Sequence, residues 1–325
     1  SDEFGEDVGW MLELESQMRS TPMPSSLEIS LLYLARASLK TKHGVVTINV
    51  ARLLDIVDAK REDMELKLLS AGVSDYPVDN ALAIYVYTLP DPAVFEMING
   101  LLRSPDRMTK GGISPGLKAC LPFIKFLDFA LASLPKSFRF EGEAFRGVKW
   151  VYPSPDDHDV SRHFFDGRKV RFFEFKSSSK DNRVMTDDNF CGHEGPRTIF
   201  SIKTTEGYDI KFFSAIPKES EIVFRPLTVF QVILTSRLHN VKDPKSFPDM
   251  VCLQQLSGGV EYPAAEGAGA AATSAEIERL TAQLARMVPR DEVERLRREL
   301  EAALAEVERL RASRSADSGA EAALL

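Results

Sequence analysis

Cysteine is scarce in this chain. Three residues, Cys120, Cys191 and Cys252, lie far apart among 325. An odd number without C-x-x-C spacing supports neither a disulfide framework nor a zinc site, and it fits a reducing compartment. Basic charge is not in excess: 41 Lys and Arg stand against 48 Asp and Glu, for a formal net charge of -7. That balance argues against a general nucleic-acid binder and still allows a local basic groove. No apolar run reaches the roughly 20 residues that a membrane-spanning helix needs. The Walker loop, a G-x-G-x-x-G after a strand and H-E-x-x-H are all missing, which removes the common phosphate-cradling and zinc-hydrolase patterns. The chain opens SDEFGED without a methionine, so a removed leader or an upstream domain stays open.

What is present falls into three regions. The first ninety or so residues read as helical. In "SSLEISLLYLARASLK", Ser25 or Ser26 stands as N-cap before apolar residues at helical spacing. "NVARLLDIVDAKREDMELKLLSAG" repeats the pattern and stops at Gly72, a C-cap candidate. "DPAVFEMINGLLRSP" and "LKACLPFIKFLDFALASLP" are further helices, the second with Pro122 expected near its first turn. From about residue 139 the segments shorten and become rich in aromatic and β-branched residues. "FEGEAFRGVKWVY", "RKVRFFEFKSSS", "RTIFSIKTT", "YDIKFFSAI", "SEIVFRPL" and "TVFQVILTSRLH" read as strands. Helices followed by strands predict an α+β fold. After the small-residue linker 257–273, Ile277, Leu280, Leu284 and Met287, then Val293, Leu296, Leu300, Ala303, Val307 and Leu310, keep 3-4 spacing on either side of Pro289. This predicts a short coiled coil over 274–311, for self-association or a partner helix, with a single solvated helix as the alternative. Residues 312–325 read as a disordered tail.

Acidic and histidine-rich stretches are easily set aside. "DDHDVSRH" and "CGHEG" match no common ligand spacing and read as loops, so no metal is expected. Three other stretches are individually weak and collectively suggestive. "FRGVK" puts Arg146 in a strand beside Gly147. "FEFKSSSKD" puts Ser177, Ser178 and Ser179 at a strand end. "SAIPKESEIVF" sets Glu219 and Glu221 one residue apart, where strand alternation would turn both carboxylates to one side. An arginine forks onto phosphate or ribose oxygens, a serine orients a carboxylate, and a carboxylate stabilises a developing sugar cation.

In this order the three stretches resemble the arginine-specific mono-ADP-ribosyltransferases, a family marked by Arg, Ser-x-Ser and Glu-x-Glu. "FIKFLDFALASLPKSFRFEGEAFRGVK" resembles the family's helix and arginine-bearing strand. "FFDGRKVRFFEFKSSSKD" resembles its serine strand, with Gly167 at the turn and Val170, Phe172 and Phe175 along the strand. "DIKFFSAIPKESEIVFRPLTVFQV" resembles its closing Glu-x-Glu segment. The resemblance extends upstream into "ALAIYVYTLPDPAVFEMINGLLRS" and spans residues 80 to 232, about half of the chain. Ser178 stands where the family usually has threonine, which keeps a hydroxyl.

The resemblance implies a helical part packed on a two-sheet β core that forms an NAD cleft. It divides the chain into an N-terminal helical region 1–79 and a catalytic domain 80–256. It implies NAD as co-substrate and a protein arginine as acceptor. Carried over residue by residue, Glu221 is the main catalytic carboxylate and Glu219 faces the acceptor guanidinium. Ser177 orients Glu221, Arg146 holds the NAD phosphates or nearby ribose, and Gly147 lets the backbone approach the donor. Phe190 is a candidate for stacking on nicotinamide. Two other readings share these residues: an NAD glycohydrolase in which water takes the sugar, and a non-catalytic NAD-binding or coiled-coil interaction protein.

Overall fold

The computed structural model describes residues 8–41, 44–110, 112–149, 159–186, 191–217, 220–240, 242–243 and 245–262. The predicted coiled coil 274–311, the tail 312–325 and the linker from residue 263 onward lie outside the described residues, as do Glu219 and Phe190.

Helices α1 (Val8–Ser20), α2 (Leu27–Leu34), α3 (Val50–Ser70), α4 (Val78–Tyr87), α5 (Val94–Arg103) and α6 (Pro115–Ala132) build the first half. Their ends follow local chemistry. Ser26 caps α2 by accepting from Ile29 N, and Asn49 caps α3 by accepting from Arg52 N. Gly72, at φ +70°, closes α3: its N–H reaches Leu69 O (3.0 Å) and the Val73 N–H reaches Leu68 O (3.1 Å). These two bonds satisfy carbonyls that a helix end leaves open, in a backbone geometry that favours glycine. The expectation for Pro122 needs correction. Helix α6 begins at Pro115 with Ser114 as N-cap, so Pro122 lies inside it. The predicted all-helical start is also interrupted by a hairpin of β1 (Ser38–Thr41) and β2 (Gly44–Thr47), and a second short hairpin joins β3 (Met108–Thr109) to β4 (Gly112–Ile113).

The second half contains β5 (Arg139–Val148), β6 (Lys169–Phe172), β7 (Lys176–Ser179), β8 (Thr198–Asp209), β9 (Glu221–Phe224), β10 (Thr228–Ser236) and β11 (Asp249–Ser257). They form one seven-stranded sheet in the order β5-β7-β9-β8-β11-β10-β6, in which β5 also pairs with β8. The expected two sheets are therefore two parts of one wrapped sheet. Strands β5 and β8, of 10 and 12 residues, are long enough to serve both parts. Along β8, residues 198–203 pair with β11, whereas Tyr208 and Asp209 pair with β9.

Two predicted strand boundaries change. "RKVRFFEFKSSS" breaks into β6 and β7, because its phenylalanines serve two cores. Phe172 packs inside the wrapped sheet against Phe224 and Phe230, while Phe173 and Phe175 join the helical core. Conversely, "RTIFSIKTT" and the start of "YDIKFFSAI" form a single strand, β8, and its remainder is a turn. Strand β11, parallel to β8, was absent from the expectation. Strand β9 joins both cores by simple alternation: Ile222 and Phe224 face the sheet interior and Val223 faces the helices.

Candidate active site

Three neighbouring strands bring together Arg146, Ser177 and Glu221. Strand β7 lies between β5 and β9. Phe145 on β5 pairs with Ser179 on β7, which in turn pairs with Glu221 on β9. Residues far apart in sequence thereby become neighbours. The Ser177 hydroxyl donates to Glu221 Oε1, and Arg146 Nη1 donates to the Ser177 carbonyl at 2.8 Å. All three side chains are half-buried. A carboxylate held by a hydroxyl, with a guanidinium bonded to the same serine's backbone, is a preorganised charged site rather than a solvated patch. Ser178 alternates to the opposite side of β7, is buried, and its hydroxyl has no hydrogen-bond partner among the described residues. The departure from threonine thus lies away from Ser177 and Glu221.

Beneath these strands is a polar layer contributed by the helices. Tyr87, at the end of α4, packs on Phe175 with ring centroids 5.4 Å apart. Asn99 Nδ2, on α5, donates to Tyr87 Oη (3.4 Å) and to the Phe175 carbonyl (3.3 Å). Burial holds the Tyr87 phenol well above its ordinary range. The nearby Glu221 charge adds to this shift, while Asn99 and Arg146 oppose it. Glu174 and Lys176 form a buried ion pair just before Ser177, and Arg103 Nε approaches Glu174 Oε2 at 3.3 Å. One carboxylate shared by two cations ties α5 to the start of β7. Tyr87, Asn99, Glu174 and Lys176 escaped the sequence reading because no local pattern separates them from core or strand residues.

Gly147 stands close against the segment around Cys191. A Cβ built there would lie 2.7 Å from Cys191 Cβ and 3.3 Å from both Cys191 N and Met185 O. The glycine admits the segment that follows the serines, so its requirement is one of packing. Glu219, which falls between β8 and β9 in the sequence, lies outside the described residues, as does Phe190. The described part of the β8–β9 connection is well held: Ile210 N donates to Glu221 O (3.2 Å), and Phe213 N and Ser214 N both donate to Ile210 O (2.9 Å each). No group of His, Cys, Asp or Glu able to hold a metal occurs among the described residues, and no described helix is long and apolar enough to cross a membrane.

Comparison with known proteins places this geometry in a family. Residues 55–243 match the family model described as NAD:arginine ADP-ribosyltransferase. The chain is similar to ecto-ADP-ribosyltransferase 5 of Bos taurus, at 30% identity over 161 residues that cover 47% of this chain and 45% of that protein. It is similar to the Homo sapiens ecto-ADP-ribosyltransferase 5 at 32% identity, covering 48% and 50% respectively. The chain thus spans about half the length of these curated relatives. Among solved structures, it shares its fold with the ADP-ribosyltransferase HopU1 of Pseudomonas syringae pv. tomato (TM-score 0.52, 19% identity, 73% of this chain and 100% of that one). It likewise shares its fold with the type III effector XopAI of Xanthomonas axonopodis pv. citri (TM-score 0.52, 19% identity, 78% and 94%). The family match covers more than half of the chain and contains Arg146, Ser177, Glu219 and Glu221; the chain belongs to the NAD:arginine ADP-ribosyltransferase family.

Proposed function

We propose that the chain is an NAD-dependent mono-ADP-ribosyltransferase that breaks the nicotinamide–ribose bond and transfers ADP-ribose to a protein arginine. The observation that carries this reading is the Ser177–Glu221 hydrogen bond with Arg146 on the Ser177 carbonyl. Breaking the N-glycosidic bond leaves positive charge on the ribose ring, as in glycoside cleavage. Nicotinamide departs neutral, so the site needs no acid to protonate it. Glu221, oriented by Ser177, stabilises the developing cation electrostatically. Arg146 supplies the guanidinium for the donor's phosphates or adjacent ribose. Glu219 receives the acceptor guanidinium, which is cationic far above neutral pH, and assists removal of its proton as the new N–C bond forms. Both carboxylates then have a cationic partner when donor and acceptor are bound.

In this reading the wrapped sheet and the helical layer form the NAD cleft, with the catalytic domain over 80–256 and the helices of 1–79 packed onto it. Phe190 is kept as a stacking candidate for nicotinamide. Residues 274–311 provide a coiled coil for self-association or a partner helix. Incubating the purified chain with labelled NAD and agmatine or an arginine-rich protein tests the activity. Label on the acceptor supports transfer, free ADP-ribose alone supports glycohydrolase activity, and neither product supports a binding module.

A further inference from the structure

Strand β7, which carries Ser177, is short and unevenly supported. All of Lys176–Ser179 pairs with β9, but β5 reaches only the far end of β7, through Phe145 and Ser179. Just before β7, Phe173, Glu174 and Phe175 lie outside any strand. Among the described residues, Lys176 and Ser177 therefore begin β7 with a paired strand on one side only. Both handles by which Ser177 shapes the site are at this start. Its hydroxyl donates to Glu221, and its carbonyl accepts from Arg146 Nη1 at 2.8 Å. Lys176 pairs with Phe224 of the sheet interior, and Ser177 pairs with Val223 of the helical core. The two side chains thus point to opposite faces, and a rotation of the strand about its axis moves both.

Lys176 is anchored where the backbone is not. Its side chain and that of Glu174 are each 1% exposed, and Lys176 Nζ donates to Glu174 Oε1. The ammonium also stands 5.8 Å from the centroid of the Phe172 ring. Glu174 Oε2 lies 3.3 Å from Arg103 Nε, without hydrogen-bond geometry. Between the two charged residues, the Phe175 carbonyl accepts from Asn99 Nδ2 at 3.3 Å. A buried ion pair is a poor source of stability. Desolvation offsets much of the attraction, and apolar residues of similar size often serve as well. What the pair adds is direction, because a charge-assisted hydrogen bond is satisfied in few orientations.

We propose that Glu174 and Lys176 are positioning residues for the reaction: their pair fixes the rotation of β7 at its start, so that Ser177 meets Glu221 with its hydroxyl and Arg146 with its carbonyl. The inference rests on the transferase reading. Both charged groups are buried and act through Ser177. Glu221 serves the bond-breaking step common to transfer and hydrolysis. The pair therefore governs the rate of nicotinamide loss and leaves the choice of acceptor alone.

The test is a cycle of four chains: wild type, Glu174→Gln with Lys176→Met, Ser177→Ala, and all three substitutions together. Each receives labelled NAD and agmatine, and nicotinamide release, ADP-ribosyl-agmatine and the urea midpoint are measured. Removing both charges at nearly constant volume should leave the midpoint near that of the wild type. In the wild-type background it should lower kcat for nicotinamide release about tenfold, with the KM for agmatine changed by less than about twofold. In the Ser177→Ala background the same change should cost less than about twofold, because the route to Glu221 is already lost. An equal loss in both backgrounds, or no loss in either, makes the pair merely structural and overturns the proposal. If the chain without the pair does not fold, Lys176→Arg, which keeps the charge and alters its reach, enters the same cycle with the same expectations. If the wild-type chain releases no nicotinamide, the transferase reading itself fails.

Discussion

In the proposed mechanism Glu221 serves the developing ribose cation and Glu219 the acceptor guanidinium, so the two carboxylates take different partners. Glu221→Gln keeps the shape and removes the charge. It should reduce both transfer and NAD hydrolysis by at least about 10²-fold, measured as nicotinamide release. Near-normal release would refute its role. Glu219→Gln should lower arginine transfer more than hydrolysis, since water needs no guanidinium partner; parallel loss of both would contradict the acceptor assignment. Arg146→Lys keeps a charge but loses the planar fork. It should weaken NAD binding by about tenfold in a calorimetric titration, and an unchanged affinity would argue against a donor contact. The structure brings Arg146, Ser177 and Glu221 together, and each sits in a short sequence context that can be read locally. Tyr87 and the Glu174–Lys176 pair cannot be read this way, because contact with α5 and burial give them their place beside the site.

At the scale of elements, the sheet explains why Gly147 is a glycine. A methyl group there would meet Cys191 Cβ at 2.7 Å. Gly147→Ala should therefore destabilise the fold by about 1–3 kcal/mol through overpacking. Urea unfolding of the two proteins measures this, and an unchanged midpoint would show that the segment around Cys191 yields freely. The same element shows the reach and the limit of pattern reading. Alternation in "EIVF" correctly marks β9, but the Phe-rich run before the serines hides a break. Only the presence of two separate cores tells Phe172 to turn one way and Phe173 and Phe175 another.

At the scale of the molecule, a buried clamp joins the end of the described chain to the first half. Arg225, just after β9, forms a two-pronged pair with Asp128 on α6 (2.8 and 2.9 Å), and Tyr262 Oη donates to Asp128 Oδ2 at 2.6 Å. Arg225 Nη2 also donates to Val260 O at 2.5 Å. Asp128→Ala would leave a buried guanidinium without its carboxylate, at a cost of about 3–5 kcal/mol in unfolding free energy. A chain ending at 256, which lacks Val260 and Tyr262, should melt lower than a chain ending after residue 262. Equal melting would show the clamp to be dispensable. Alkaline pH acts on the whole core. Burial raises Tyr76, Tyr87 and Tyr208 above their ordinary 10.0 and Cys120 above its ordinary 9.0. Above about pH 9 the unfolded chain loses these protons first and binds fewer than the folded chain, so stability falls as pH rises. Denaturant midpoints at pH 8 and pH 10.5 should show the drop.

The sequence by itself determined what local chemistry can encode: the helix caps, the alternating strands, the family, and the residue types on which the proposed NAD cleavage rests. Capping, alternation and the short Arg, Ser and Glu motifs each depend on residues a few positions apart. The tertiary structure decided what depends on distant partners. It joined the two expected sheets through β5 and β8, and it set Gly147 against Cys191. It also placed Ser177 on Glu221 across 44 residues and Thr88 on Ala215 across 127. Those contacts arise from strand order and helix packing, which no local pattern in the sequence records.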